Sequence, residues 1–223
     1  MRYNIISTGS HGNAVVLQDI ILIDCGVSFK ALQEVYKALK LVLLTHIHSD
    51  HFNPTTISML ARERPTLRFA CCNWLVKQLV ECGVPKQNID VLEIGKIYDY
   101  RAFKVSPIKL YHNVPNAGYR VFFGGEKAIY ATDTEHLEGI TAKGYDLYMI
   151  EGNYTEDDLQ ERINAKLGTG EYCYELNVAN RHLSKEQADA FLLENMGENS
   201  SYVYLHGHID KEEREGDVRQ ENV

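Results

Sequence analysis

Residues 41–51 run Leu-Val-Leu-Leu-Thr-His-Ile-His-Ser-Asp-His, an apolar stretch that gives way to three histidines and an aspartate within six positions. His46 and His48 stand two apart, so an extended backbone turns both imidazoles to one side. Asp50 and His51 follow as the chain curls toward the next helix, presenting a second donor pair at a neighbouring point. Imidazole nitrogen and carboxylate oxygen suit zinc, manganese or iron. A polar loop with a chance excess of histidine accounts for one such residue, not for four at this spacing.

The elements that must position these donors are legible around them. Four apolar residues in a row, 41–44, suit a strand covered on both faces, which puts the histidines in the turn at its C-terminal end. Two single candidates fall at equivalent places: His112 directly after strand 103–111, and Asp133 just after strand 128–131. Strand 202–205 ends in His206-Gly207-His208, and His206 is preferred because it follows the apolar residues directly. Asp24, at the end of strand 20–23, is placed to anchor the histidine loop by hydrogen bonds. Two ions about 3.5–4 Å apart need several protein donors and a carboxylate able to bridge them. His46, His48 and His112 serve one ion, Asp50, His51 and His206 the other, and Asp133 bridges. All lie at strand ends or in the loops that follow, where open α/β sheets place ligands.

The remaining pattern is mixed α/β. Strands are expected at 3–6, 14–17, 20–23, 67–71, 90–93, 96–100, 119–123 and 146–150, with Gly124-Gly125-Glu126-Lys127 as a hairpin signal. The Gly/Ser stretch 7–13 is a turn between strands. Helices are expected from a Ser28 cap through 39, from an Asn53 cap with Pro54 at the first position to 64, and from an Asn73 cap to 81. Two more run over 155–167 and, capped by Ser184, over 185–196. The segment 168–180 is expected to be irregular, with Tyr172 and Tyr174 forming a lid, a subunit contact or a stacking surface. One domain over 1–210 and a charged, solvated tail over 211–223 complete the division.

With 223 residues, 44% hydrophobic and 24% charged, the chain suits one soluble domain with a substantial core. Cys25, Cys71, Cys72, Cys82 and Cys173 are odd in number and lack Cys-x-x-Cys spacing, which points to reduced thiols and cytoplasmic residence. No apolar run approaches the roughly 20 residues of a membrane span. A net charge of −8 gives no basic footprint for duplex nucleic acid and favours a small or single-stranded anionic substrate.

His46-Ile47-His48-Ser49-Asp50-His51 matches the His-x-His-x-Asp-His signature of the metallo-β-lactamase fold superfamily. The order of Asp24, this signature, His112, Asp133 and a late histidine resembles that superfamily from residue 2 to about 208. The resemblance implies an α/β four-layer αβ/βα sandwich with two divalent ions, Zn2+ or Mn2+. It further implies hydrolysis by a metal-bridged hydroxide that Asp50 orients. The start Ser7 to Asn13 and Ile23-Asp24-Cys25-Gly26 resemble the exonuclease-like branch. His182-Leu183-Ser184 followed by Gln187-Ala188 resembles the ribonuclease Z group, whose histidine contacts the scissile phosphate and protonates the leaving oxygen. Asp146-Leu-Tyr-Met-Ile-Glu151 resembles the strand whose terminal glutamate supports that histidine. Phage cyclic-nucleotide phosphodiesterases that counter Pycsar defence share the plan and length, whereas a long arm for gripping tRNA is lacking here. The expected catalytic residues are thus Asp50, Glu151 and His182, in a phosphodiesterase for single-stranded nucleic acid or cyclic nucleotides, with a homodimer through 168–180. The rival is a thioester- or lactam-type hydrolase, which needs no Glu151–His182 donor. A di-iron oxidoreductase would carry a carboxylate at position 48.

Overall fold

The computed structural model describes residues 1–167 and 173–207. Strands β1 (Tyr3–Ser7), β2 (Ala14–Leu17), β3 (Ile21–Ile23), β4 (Leu41–Leu44), β5 (Arg68–Cys72) and β6 (Ile89–Leu92) form one six-stranded sheet in that spatial order. A second six-stranded sheet runs, from its far edge inward, through β7 (Tyr98–Asp99), β8 (Lys104–Leu110), β9 (Asn116–Phe123), β10 (Glu126–Ala131), β11 (Leu147–Glu151) and β12 (Ser201–Leu205). Each sheet joins antiparallel strands to a parallel run, β3–β4–β5–β6 in the first and β10–β11–β12 in the second.

The apolar runs divide between faces with the period of two that a pleated strand imposes. Leu41 and Leu43 point into the core between the sheets, while Val42 and Leu44 point outward. In β11, Leu147 and Met149 face inward and Tyr148 and Ile150 outward. The outer face of the first sheet is covered by α1 (Pro54–Glu63) and α2 (Val76–Glu81), through Ile57, Leu60 and Leu79. Three further helices are α3 (Glu156–Leu167), α4 (Glu175–Ala179) and α5 (Lys185–Asn195). Of these, α5 covers the second sheet through Ala188, Phe191 and Leu192. The result is the expected four-layer αβ/βα sandwich. None of the helices is long and apolar enough to cross a membrane, among the described residues.

The local signals hold where a side chain completes the geometry. Asn53 accepts a hydrogen bond from Thr56 N and Pro54 starts α1. Ser184 and Gln187 form a capping box on α5. Gly124-Gly125 is a two-residue turn between paired Phe123 and Glu126. Three expectations are corrected. The segment after Ser28 is a 3-10 turn over Phe29–Leu32 followed by further turns, and Ser28 makes no capping bond. The Arg64 guanidinium takes the carbonyls of Tyr36, Lys37 and Leu39, an alternative to a regular helix ending there. Asn73 begins a 3-10 turn instead of capping a helix, so α2 starts only at Val76. Within the segment expected to be irregular, Glu175–Ala179 is helical, while Tyr172 lies outside the described residues. The tail 211–223 and His208 also lie outside them.

Candidate active site

The loops after β3, β4, β8, β10, β11 and β12 meet at one edge of the sandwich. Three residues there adopt left-handed backbone conformations that L side chains rarely take: Asp24 (φ 59°), Asp133 (φ 55°) and His206 (φ 55°). Each lies within two residues of its strand's end, where the kink breaks the pleat and redirects the side chain. Aspartate and histidine are among the residues that tolerate this best.

The predicted donors converge. His46, His48, His112 and Asp133 offer atoms within 4.8 Å of one another, and so do Asp50, His51, Asp133 and His206. Asp133 belongs to both sets, the place expected of a bridging carboxylate. His11 is not in either set; it is exposed in the turn before β2, 3.4 Å from Ser10 Oγ.

Hydrogen bonds behind the rings fix which imidazole nitrogen faces inward. Thr45 Oγ1 donates to Asp24 Oδ1 (2.9 Å) and therefore accepts from His46 Nδ1 (2.9 Å). His51 Nδ1 donates to Asp24 Oδ2 at 2.7 Å, and His112 Nδ1 donates to Arg181 O at 3.1 Å. The Nε2 lone pairs of His46, His51 and His112 are thereby turned into the cluster. His46 Nε2 lies 3.1 Å and His112 Nε2 3.3 Å from one atom, His48 Nδ1, which can donate a proton to at most one of them. His51 Nε2 is 3.2 Å from Asp133 Oδ1, a buried oxygen without a hydrogen-bond partner of proper geometry. Lone pairs aimed at one another repel unless a cation or proton lies between them, so this donor set fits divalent metal ions.

Charge in the cluster follows from burial and opposed neighbours. Burial pushes the imidazolium of His112 down to about 4 and that of His46 well below the ordinary range. Burial acts the same way on His51 and His206. There the Asp133 carboxylate, with Asp24 for His51 and Asp50 for His206, outweighs it, raising His51 well above the ordinary value and His206 to about 9. Burial opposes ionisation of Asp50 and Asp133, but the histidines beside them hold both carboxyls below the usual range.

Glu151 and His182 adjoin this cluster. His182 Nδ1 donates to Glu151 Oε1 at 2.6 Å, and Glu151 Oε2 accepts from Thr134 N (3.0 Å) and Leu183 N (3.3 Å). The buried carboxylate is thus pinned from two loops and in turn fixes the ring. The His182 ring stacks on His206 at 5.2 Å and meets His112 edge-on at 5.3 Å, which sets it against members of both donor sets. Burial disfavours charge on His182, but the hydrogen bond and charge of Glu151 prevail and raise its pKa.

The description "Beta-lactamase superfamily domain" matches residues 20–206, most of the chain and every donor named above. The chain belongs to the beta-lactamase superfamily. Among solved structures, this superfamily member is similar to the metallo-beta-lactamase fold protein YhfI from Bacillus subtilis, at 16% identity and a TM-score of 0.69, covering 95% of this chain and 88% of that one. It is similar to the human short-form tRNase Z at 17% identity and a TM-score of 0.65, covering 93% of both chains. It is also similar to Zn2+-bound PqqB from Methylobacterium extorquens, at 12% identity and a TM-score of 0.65, covering 93% and 89%. At such identities the likeness is one of fold. No curated protein sequence matches the chain. As a superfamily, these are metal-dependent hydrolases, and the His/Asp cluster of this member is suited to divalent ions.

Several contributors had no sequence signal of their own. Thr45, Thr134 and Tyr130, whose hydroxyl donates to Asp24 Oδ2 at 3.1 Å, hold donors or loops in place yet look like ordinary strand-end residues. Asn153 is buried with its amide nitrogen 2.8 Å from His206 O and 3.0 Å from His206 Nδ1. Asn13 lies in a stretch that promised only a turn.

Proposed function

We propose that this superfamily member is a metal-dependent phosphodiesterase acting on single-stranded nucleic acid or cyclic nucleotides. The observation that carries this reading is the His182–Glu151 pair, hydrogen-bonded at 2.6 Å and packed against His206 and His112 of the donor cluster. Hydrolysis of a phosphodiester must protonate an alkoxide leaving group, and a carboxylate-supported imidazole in contact range of the cluster serves that need. Two divalent ions, zinc or manganese, held by His46, His48, His112, Asp50, His51, His206 and the bridging Asp133, would supply Lewis acidity and offset phosphate charge.

The remaining roles belong to the chain itself. Asp50 orients the attacking water, since its carboxylate is the more exposed of the two aspartates in the cluster. His182 hydrogen-bonds a phosphate oxygen and passes its Nε2 proton to the leaving oxygen, while Glu151 keeps the ring oriented and stabilises its charge. A net charge of −8 disfavours long duplexes and leaves single strands or small nucleotides as the substrate class. A homodimer through the segment carrying exposed Tyr174 and Leu176 belongs to the same reading.

The metal-loaded protein is to be incubated with bis-p-nitrophenyl phosphate, 3′,5′-cyclic nucleotides, 5′-labelled single strands, a thioester and a cephalosporin. Turnover of the phosphodiesters is expected. Turnover of the thioester or cephalosporin alone, surviving His182→Ala, would overturn the phosphodiesterase reading.

A further inference from the structure

Six residues from Thr8 to Asn13 connect β1 and β2, and a hairpin needs fewer. Asn13, at the end of this stretch, is buried with about 1% of its surface exposed. Its Oδ1 accepts from Gly9 N at 2.9 Å and its Nδ2 donates to Gly9 O at 3.1 Å, which assigns the amide's orientation. Nδ2 also lies 3.2 Å from Asp50 O, 3.4 Å from Asp50 Oδ2 and 2.9 Å from His51 Nε2. The Asn13 backbone grips the same segment: its N donates to Asp50 O at 2.6 Å and its O accepts from Gly26 N at 2.9 Å. Gly26 completes the stitch, because a Cβ there would sit 1.7 Å from Asp50 O. At the other end of the turn, Thr8 Oγ1 accepts from the backbone N of His206 at 2.7 Å, holding a residue whose φ is +55°.

Asp50, His51 and His206 are the three non-bridging members of one donor set. Neither Thr8 nor Asn13 is bonded to His46, His48 or His112 among the described residues. Of those three, His46 is held by Thr45 and His112 by the backbone of Arg181. Asp24 supports both halves, His51 directly and His46 through Thr45, whereas the turn's bonds reach one half only.

We infer that the turn from Thr8 to Asn13 is a positioning clamp for one half of the cluster, with Asn13 its central residue, and that it sets the affinity of that half alone. This rests on the two-ion reading above. Asn13 ties the Asp50 side chain to its own backbone oxygen and holds the carboxylate oxygen that faces His51 and His206. Thr8 keeps His206 in the strained conformation that brings its ring alongside. Outer supports of this kind are worth about 10–100-fold in metal affinity when removed. The two ions are therefore expected to differ in their response to any change in this turn.

The test is zinc titration of the full chain against a chelator, with bound metal counted by elemental analysis and folding followed by circular dichroism. The wild type is expected to hold about two ions. Asn13→Ala and Thr8→Val each weaken one ion about 10–100-fold and leave the other unchanged. Asn13→Asp, which keeps its acceptors toward Gly9 and Thr8 but cannot donate to Asp50, does not restore it. Paired variants identify the half affected: with His112→Ala the Asn13→Ala change removes the remaining tight ion, and with His206→Ala it removes nothing further. Equal weakening of both ions, or of neither, overturns the clamp. If Asn13→Ala fails to fold, Thr8→Val decides, and an unaltered two-ion titration there overturns it as well. A wild type that binds fewer than two ions overturns the two-ion reading itself, a result distinct from the others.

Discussion

At the scale of single residues, His182 is the side chain that bears most directly on substrate. Its ring is fixed by a carboxylate on one edge, stacked on His206 and edge-on to His112. Such a ring is useful where a leaving group needs a proton and idle where it does not. His182→Ala is therefore expected to cut turnover of a dinucleotide or cyclic nucleotide, whose leaving group is a sugar alkoxide, by about 10²–10⁴-fold. The same change costs bis-p-nitrophenyl phosphate much less, only the lost phosphate contact, because p-nitrophenolate departs without protonation. Glu151→Gln, which keeps the shape but removes the charge, follows the same pattern to a lesser degree. An equal loss on both substrates would assign His182 to binding or to structure instead of proton transfer.

At the scale of elements, cap and turn chemistry decides how firmly these residues are held. Ser184 caps α5 only two positions after His182, accepting from Gln187 N while Gln187 Oε1 accepts from Ser184 N. Ser184→Ala is expected to cost about 1 kcal/mol of stability, read as a lower urea midpoint with an unchanged m-value. An unchanged midpoint would mean that packing of Phe191 and Leu192 alone fixes the helix start. Caps of this type were legible in the sequence because their partners lie within three residues, as at Asn53 and Ser184. The helix expected after Ser28 was not: its apolar spacing suits tight turns as well as a helix, and the outcome depends on Arg64, far along the chain. The residues that converge in the cluster were legible because each lies just after an apolar strand or in the loop that follows it. The clamp at Thr8 and Asn13 was not, because its partners Asp50 and His206 are 37 and 198 residues away.

At the scale of the whole molecule, the two-sheet core has a consequence for alkaline stability. Cys71, on β5 under the first helical layer, and its neighbour Cys72 are both buried, and burial pushes both thiols up to about 12. Cys25 is raised in the same direction, as are the fully buried hydroxyls of Tyr119 and Tyr130. In the unfolded chain a thiol titrates near about 8.5 and a tyrosine near about 10. Between those values and the folded ones, the folded state retains protons that the unfolded state has released, so folding stability falls as pH rises. The thermal midpoint is expected to hold steady up to about pH 8 and then to decline continuously through pH 10. Replacing Cys71 and Cys72 together by alanine makes that decline shallower without abolishing it, since Cys25 and the tyrosines remain. The midpoint at neutral pH drops at the same time, because two side chains leave the core. The check is a set of melting curves from pH 7 to 10.5 on the metal-free protein. That choice removes the coupling between histidine protonation and ion binding, so the slope reports the core. A slope identical in wild type and double variant would show that the β5 thiols reach water in the folded state, contrary to their burial.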